Sequence, residues 1–203
     1  MSGSEFDLGG LLAGDESNPL LTPSAVKLTA LERFVQAAGK DCSFQEFVSE
    51  ILLAMMTAVQ SEAASLLEVD EARRVIFFRS SVGRASDRIV DFLIPLGQGI
   101  VGQAIESRLP VVVQHAEENR AHLKAIGNAV GFETRNLVAL PLVIRGQVFG
   151  VIEVINRVEQ LNYSEADLEV LTYLAEMASR IIELRLMIAW AAKNSGPSSS
   201  DSG

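Results

Sequence analysis

Cysteine is almost absent from this 203-residue chain: Cys42 is the only one. A single thiol builds no internal disulfide framework and no cysteine-based metal site, which fits a reducing compartment. Positive charge is also scarce, with 17 Lys and Arg against 26 Asp and Glu and a formal net charge of -9. Such a surface repels phosphate backbones and anionic bilayers, so neither nucleic acid nor membrane is an expected partner. No apolar run reaches the roughly 18 to 20 residues needed to span a bilayer. Residues 1–15 contain no Lys or Arg and so lack the basic region of a signal peptide. These absences lead to the expectation of a soluble, cytoplasmic protein. Aromatics make up only 6% of the chain, yet hydrophobic residues make up 48%. The apolar content is therefore mostly aliphatic, and it suffices for a packed core.

The ends differ from the middle. Residues 1–21 are rich in Gly, Ser, Asp and Glu, and residues 193–203 in Ser, Gly and Pro. Both read as disordered tails around a single domain over residues 22–192. Thr22 is placed to cap a first helix with Pro23 in its first turn. Leu28, Leu31, Phe34, Val35 and Ala38 recur at helical spacing, and Gly39 can end the helix. Ser43 and Glu46 form a capping-box pattern ahead of a second helix, whose apolar face includes Phe47, Ile51, Leu52 and Met55.

Strand patterns follow over 63–69, 75–79 and 89–96, the first two joined by the polar turn Asp70-Glu71-Ala72. Gly97-Gln98-Gly99 breaks the chain before a short helix over 100–108 and a short strand over 111–113. Residues 116–130 are polar and loosely helical. The clearest strands, 137–144 and 147–156, meet at Arg145-Gly146, a two-residue hairpin turn. Ser164, with Asp167 three residues on, opens a long helix reaching about Ala192. Helices at both ends and an antiparallel sheet between them make an α+β layered domain.

The long helix carries two apolar stripes. One is Leu168, Leu171, Ala175, Ala178 and Ile182. The other is Val170, Leu174, Met177, Ile181, Leu184, Ile188 and Ala191, in alternating steps of four and three residues like a coiled-coil seam. Both stripes cannot face one sheet. The second is expected to meet either the first helix or a second copy of the chain across a two-fold axis, with Trp190 as an interface aromatic.

Three strings now bear on family: Ile94-Pro95-Leu96-Gly97-Gln98-Gly99-Ile100-Val101-Gly102, Gly131-Phe132-Glu133-Thr134-Arg135-Asn136-Leu137, and the run from Pro141 through Gly150 to Asn156. In order and spacing the chain resembles a GAF domain from about residue 34 to residue 186, like those of cyclic-nucleotide phosphodiesterases and bacterial signalling proteins. The resemblance implies a GAF-like antiparallel sheet with the terminal helices on one face and a ligand pocket on the other. The short helix and residues 116–130 would roof that pocket.

The phosphodiesterase domains carry Asn-Lys, then Phe, then three residues, then Asp-Glu. Here the corresponding residues are Asn156-Arg157, Tyr163 and Asp167-Leu168, which implies a supporting ion pair from Arg157 to Asp167. The resemblance places Ser65, Phe78, Ile100, Val101, Thr134 and Glu153 at ligand-binding positions. Arg79 and Gly127 stand where acidic residues are expected, and Val130 where a Thr is expected. Lost polar partners of that kind weaken purine recognition by roughly 1–3 kcal/mol each.

Arg79 would suit an anionic ligand or would be a solvated strand-end residue. His115 is a candidate for the pocket mouth. His115 and His122 show no metal-ligand spacing with the nearby Glu117 and Glu118. Glu153, between Ile152 and Val154, is either a ligand contact or a partner of Arg145 or Arg135. The charged runs Asp87-Arg88 and 117–120 receive no function. Cys42 lies outside the regions where bilin-binding GAF domains and GAF-type methionine sulfoxide reductases use cysteine, and no nucleophile–base or phosphate-loop motif is present. The expectation is a non-enzymatic sensory or regulatory module without a cofactor. It would bind a small ligand, such as a cyclic nucleotide, or a protein partner, and relay the event through a helical homodimer. The alternative is a dimerisation scaffold without a ligand.

Overall fold

In a computed structural model, residues 23–84, 92–116, 132–158 and 162–194 are described. The elements in chain order are α1 (Pro23–Gly39), α2 (Phe44–Ala58), β1 (Ser61–Asp70), β2 (Val75–Gly83), β3 (Leu93–Pro95), α3 (Gly99–Ser107), β4 (Val111–Val113), β5 (Leu137–Ile144), β6 (Gln147–Arg157) and α4 (Glu165–Asn194). The strands form one six-stranded sheet in the order β3-β2-β1-β6-β5-β4, and every neighbouring pair is antiparallel.

Local chemistry sets the element ends. Ser43 Oγ accepts the Glu46 amide at 3.2 Å, and the Glu46 carboxylate accepts the Ser43 amide at 2.9 Å. This reciprocal box satisfies two otherwise orphaned donors at the start of α2. Ser164 and Asp167 do the same for α4, with Ser164 N to Asp167 Oδ2 at 3.0 Å and Asp167 N to Ser164 Oγ at 3.2 Å. At the β5–β6 turn, Arg145 and Gly146 both have positive φ, 50° and 76°. That conformation gives the twist a two-residue hairpin needs. A Cβ on Gly150 would meet the Leu67 carbonyl oxygen at 2.4 Å, so only glycine lets β6 approach β1 this closely.

The alternation of β1, β5 and β6 divides the core in two. Leu66, Val138, Leu140, Ile152 and Val154 face the helix layer, with Phe34 of α1, Phe47, Ile51, Leu52 and Met55 of α2, and Leu171, Ala175, Ala178 and Ile182 of α4. Leu67, Ile76, Phe78, Val151, Ile155 and Ala139 face the opposite side, where α3 packs with Ile100, Val101 and Ala104.

Several expectations need correction. The strand expected over 75–79 runs on to Gly83, and its partner β1 runs from Ser61 to Asp70. The register slips between Leu66, opposite Ser80, and Leu67, opposite Phe78, so Arg79 is the extra residue of a β-bulge. The strand expected over 89–96 is Leu93–Pro95 among the described residues. Helix α4 continues through Asn194, two residues into the expected tail. Leu174, assigned to the second stripe, is buried in the helix-side core. Thr22, the remaining tail residues, Asp87-Arg88, residues 117–130 (including Glu117, Glu118, His122, Gly127 and Val130) and Gly131 lie outside the described residues.

Candidate functional site

On the α3 face, register sets a row of residues across the sheet. Ser81 of β2 lies opposite Ser65 of β1, Ser65 opposite Glu153 of β6, and Glu153 opposite Ala139 of β5. The Ser65 and Ser81 hydroxyls are hydrogen-bonded at 2.9 Å. Around this row stand Phe78, Ile94, Ile100 and Val101, with Phe92, Leu96 and Phe132 partly buried against them. A Cβ on Gly102 would meet the Gly97 backbone at 2.4 Å, which explains why α3 can fold tightly onto its own leading turn.

Glu153 is the exceptional group of this face. It is only 8% exposed, and no donor among the described residues reaches its carboxyl. Burial pushes its pKa up to about 7, because the charged form loses its hydration and finds no partner among the described residues. The expected alternative, a pairing with Arg145 or Arg135, does not occur. Arg145 Nε binds Glu183 Oε1 at 2.9 Å, and Arg135 Nη2 binds Glu62 Oε1 at 2.9 Å.

The other expected ligand positions divide. Ser65, Phe78, Ile100 and Val101 gather with Glu153 on this face. Arg79 does not. As the residue after Phe78 it lies on the opposite face with Phe77, where its Nε binds Glu68 Oε2 at 2.6 Å and its guanidinium lies 5.0 Å from the Phe77 ring centroid. Burial works against the charge of Arg79, but the Glu68 hydrogen bond outweighs it and raises the pKa. His115 is exposed just past β4, and Thr134 is half-buried just before β5. The bond from Ala116 N to Arg135 O, 2.7 Å, ties together the two stretches that carry them.

A second polar constellation closes the sheet end. Asn156 is fully buried with φ 60°. Its Oδ1 accepts the Arg135 amide at 2.7 Å, and its Nδ2 donates to Glu62 Oε2 at 3.0 Å and to the Glu133 carbonyl at 2.8 Å. Asn tolerates this left-handed backbone better than most residues. Burial works against ionisation of Glu62, but hydrogen bonds from Arg135 and Asn156 outweigh it and hold its carboxyl below the usual range.

Arg157 Nε lies 3.1 Å from Asp167 Oδ2, and Arg157 Nη1 donates to the Val59 carbonyl at 2.7 Å. Tyr163 OH donates to the Val154 carbonyl at 2.9 Å and contacts Ser61 Oγ at 3.0 Å, and burial pushes its phenol pKa up. Asn156, Arg157, Tyr163 and Asp167 thus fasten β6 to β1, to the end of α2 and to the start of α4. Every one of them is engaged within the chain. The roles of Ser81, Glu62 and Phe92 were not legible in the sequence, since no spacing rule connects them to their partners.

The second stripe of α4 is only partly covered. Val170, Met177 and Ile181 pack partly against the helix-side core, whereas Leu184 and Ile188 are 55% and 59% exposed and Trp190 is 71% exposed. Ile144, Leu186, Met187 and Trp190 contribute to a groove of about 540 Å³ rimmed by the Arg145–Glu183 pair. Leu28 and Val35 of α1 are also more than half exposed. Cys42 is half-buried between α1 and α2, where its carbonyl accepts from Arg185 Nη1 at 3.1 Å. Among the described residues, no cluster of His, Cys, Asp and Glu could hold a metal ion, and no helix is long and apolar enough to cross a membrane.

The sequence profile described as "GAF domain" matches residues 43–183. The mouse cone cGMP-specific 3',5'-cyclic phosphodiesterase subunit alpha' is 29% identical over 158 residues, which cover 77% of this chain and 17% of that protein. The bovine rod subunit alpha is 27% identical over 94 residues, 46% of this chain and 11% of that protein. The chain thus spans less than a fifth of the length of these relatives. Among solved structures, the GAF domain of a Coxiella burnetii phosphoenolpyruvate-protein phosphotransferase superposes with a TM-score of 0.69 at 17% identity, covering 84% of this chain and 99% of that one. Free methionine-R-sulfoxide reductase of Neisseria meningitidis, in complex with its substrate, superposes with a TM-score of 0.62 at 20% identity, covering 82% and 93%. The profile match spans most of the chain, the six-stranded sheet carries helices on both faces, and the fold is shared with solved GAF domains: this chain belongs to the GAF domain family.

Proposed function

We propose that this GAF domain is a sensory or regulatory module that binds a small ligand on the α3 face of its sheet and relays occupancy to α4. One observation carries the reading. The α3 face holds Glu153, a carboxyl buried among apolar side chains with no partner among the described residues. Buried charges are ordinarily paired, so a carboxyl without a partner among the described residues supports reading this face as a binding site. The relay has a structural route through an ion pair. Glu153 lies in β6, whose end at Asn156 and Arg157 is fastened through Asp167 to the first turn of α4.

We read the module as regulatory rather than enzymatic. Its one cysteine packs on the helix side of the sheet, opposite Glu153. A cyclic nucleotide remains a candidate ligand because the phosphodiesterase relatives are named for one. The exposed apolar row of α4 favours a homodimer through that helix, with Leu184, Ile188 and Trp190 in the seam together with Val170, Met177 and Ile181. The same row supports a second reading, a dimerisation scaffold.

The two readings separate in a thermal-shift screen with cyclic mononucleotides and flat organic cations and anions. A ligand that binds only the folded state raises Tm with concentration. The sensory reading expects a saturable rise for at least one compound, abolished by blocking the α3 face with Ser65→Phe. A flat response to the whole panel, combined with a dimer that Leu184→Asp dissociates, would favour the scaffold.

A further inference from the structure

The β4 edge of the sheet carries another concavity, on the helix side and away from the face that bears Glu153. β4 pairs with β5 only from Val111, opposite Ala139, to Val113, opposite Leu137. Among the described residues, no strand lies beside the rest of β5 on that edge. Arg108 ends α3 there in the left-handed conformation, with φ 57°. A groove of about 340 Å³ is left between residues 108–110, the free part of β5 and the middle of α4. Leu140 and Ala175, at its base, belong to the helix-side core.

The charged residues lining this groove are Arg108, Glu176 and Arg180. Neither arginine has a carboxylate partner among the described residues, in contrast to Arg79, Arg135, Arg145 and Arg157. Two arginines against one glutamate leave a single positive charge in excess, on a chain whose net charge is -9. A guanidinium is a planar fork of donors that matches a carboxylate. One excess charge suits a monoanion, whereas a phosphate monoester carries nearly two. Thr172 adds a hydroxyl donor, and Leu109 and Val143, 64% and 37% exposed, supply apolar wall. Pro141 also lines the groove and has no N–H, so the free edge of β5 is a poor template for an added strand. The volume falls at the small end of ligand sites, which span roughly 300–1,000 Å³.

We propose that this groove is a separate ligand site, one that takes a small monocarboxylate with an apolar body. Arg108 and Arg180 hold the carboxylate, Thr172 donates a further hydrogen bond, and the apolar body rests on Leu109 and Val143. The site does not depend on the ligand-binding reading of the α3 face. Because Thr172, Glu176 and Arg180 belong to α4, such a ligand touches that helix directly.

Hexanoate, hexanamide and hexyl phosphate test this, because they share an apolar chain and differ in the charge of the head group. Each is titrated at pH 7 into the full ¹⁵N-labelled chain. The amides of Leu109, Val143, Thr172 and Arg180 report on the groove, and those of Ser65 and Glu153 on the α3 face. The expected result is saturable shifts at the groove amides with hexanoate, weaker ones with hexyl phosphate and none with hexanamide. Arg180→Ala should bind hexanoate roughly tenfold more weakly, as the loss of a charge-assisted hydrogen bond requires. Arg108→Gly should weaken it to a similar extent while folding at least as well as the parent, since glycine adopts a positive φ without strain. Glu176→Gln should tighten hexanoate by removing the opposing charge. The proposal is overturned if hexanamide shifts the groove amides as strongly as hexanoate, or if hexyl phosphate binds there more tightly. It is also overturned if both arginine variants bind hexanoate as well as the parent chain does. Shifts confined to Ser65 and Glu153 would overturn it too, and would leave the α3-face reading standing.

Discussion

The two faces of the sheet are built from the same strands and differ in one respect. In β6, Ile152 and Val154 point into the helix layer, whereas Val151, Glu153 and Ile155 point toward α3. The helix face is closed by large side chains, among them Phe34, Phe47, Ile51, Leu52 and Met55, all essentially inaccessible. The α3 face interrupts a comparable apolar surface with a carboxyl and two hydroxyls. A face that served only stability would gain nothing from a buried acid with no partner among the described residues. The helix face therefore holds the fold together, and on the proposed reading the α3 face gives up some stability for a binding group.

The largest effects should come from the face that holds the fold. Phe47→Ala removes a fully buried ring that also supports the Arg185 guanidinium, 4.2 Å from the ring centroid. It should cost about 3–5 kcal/mol in chemical denaturation. A loss below ~1 kcal/mol would show that this layer is not the stabilising one. Asp167→Ala strands the largely buried Arg157 and uncaps α4, so a comparable loss of about 3–5 kcal/mol is expected. Charge reversal of the pair, Arg157→Asp with Asp167→Arg, should recover only part of it, because Arg157 also donates to Val59.

The α3 face should respond in the opposite sense. The folded-state pKa of Glu153 lies above its unfolded value. The contribution of this group is thus most favourable below about pH 4.5 and is lost as pH rises toward 7. A shift from 4.5 to about 7 corresponds to about 3 kcal/mol at full ionisation. Glu153→Gln should therefore raise stability at pH 8 by an amount of that order and leave it nearly unchanged at pH 4. Subtracting the two pH profiles removes the titrations common to both proteins. The smallest expected effect on fold stability is at the end of α4. Leu184→Asp and Ile188→Asp should alter monomer stability by no more than about 0.5 kcal/mol, since both side chains are exposed. Sedimentation equilibrium should show them shifting a dimer toward monomer.

The sequence revealed the fold better than the site, for physical reasons. Capping boxes and hairpin turns are local, so Ser43 with Glu46, and Arg145-Gly146, were readable from neighbours three residues apart or closer. Helix periodicity separated Leu171, Ala175, Ala178 and Ile182 as the sheet-facing stripe. It could not show that Leu174 is covered by its own chain, because that depends on how α1, α2 and α4 pack together. Alternation already separates Arg79 from its neighbour Phe78, whereas the bulge at Arg79 brings Ser81 round to the α3 face opposite Ser65, which no period-two pattern shows. Glu153 stood out as a carboxylate between Ile152 and Val154. Whether it was paired depended on arginines that the tertiary structure commits to Glu62 and Glu183. The linking of Glu62, Arg135 and Asn156 spans 94 residues of sequence and leaves no local signature.

The most direct test of the central claim, that the buried Glu153 carboxyl has no partner and marks the proposed ligand face, is a ¹³C NMR titration of that carboxyl in the ligand-free protein. The account expects a midpoint near pH 7, moved when a ligand binds the α3 face. A midpoint near the ordinary value of 4.5, unmoved by any ligand, would mean that the carboxyl is solvated or paired, and the α3 face would lose its claim as the binding site.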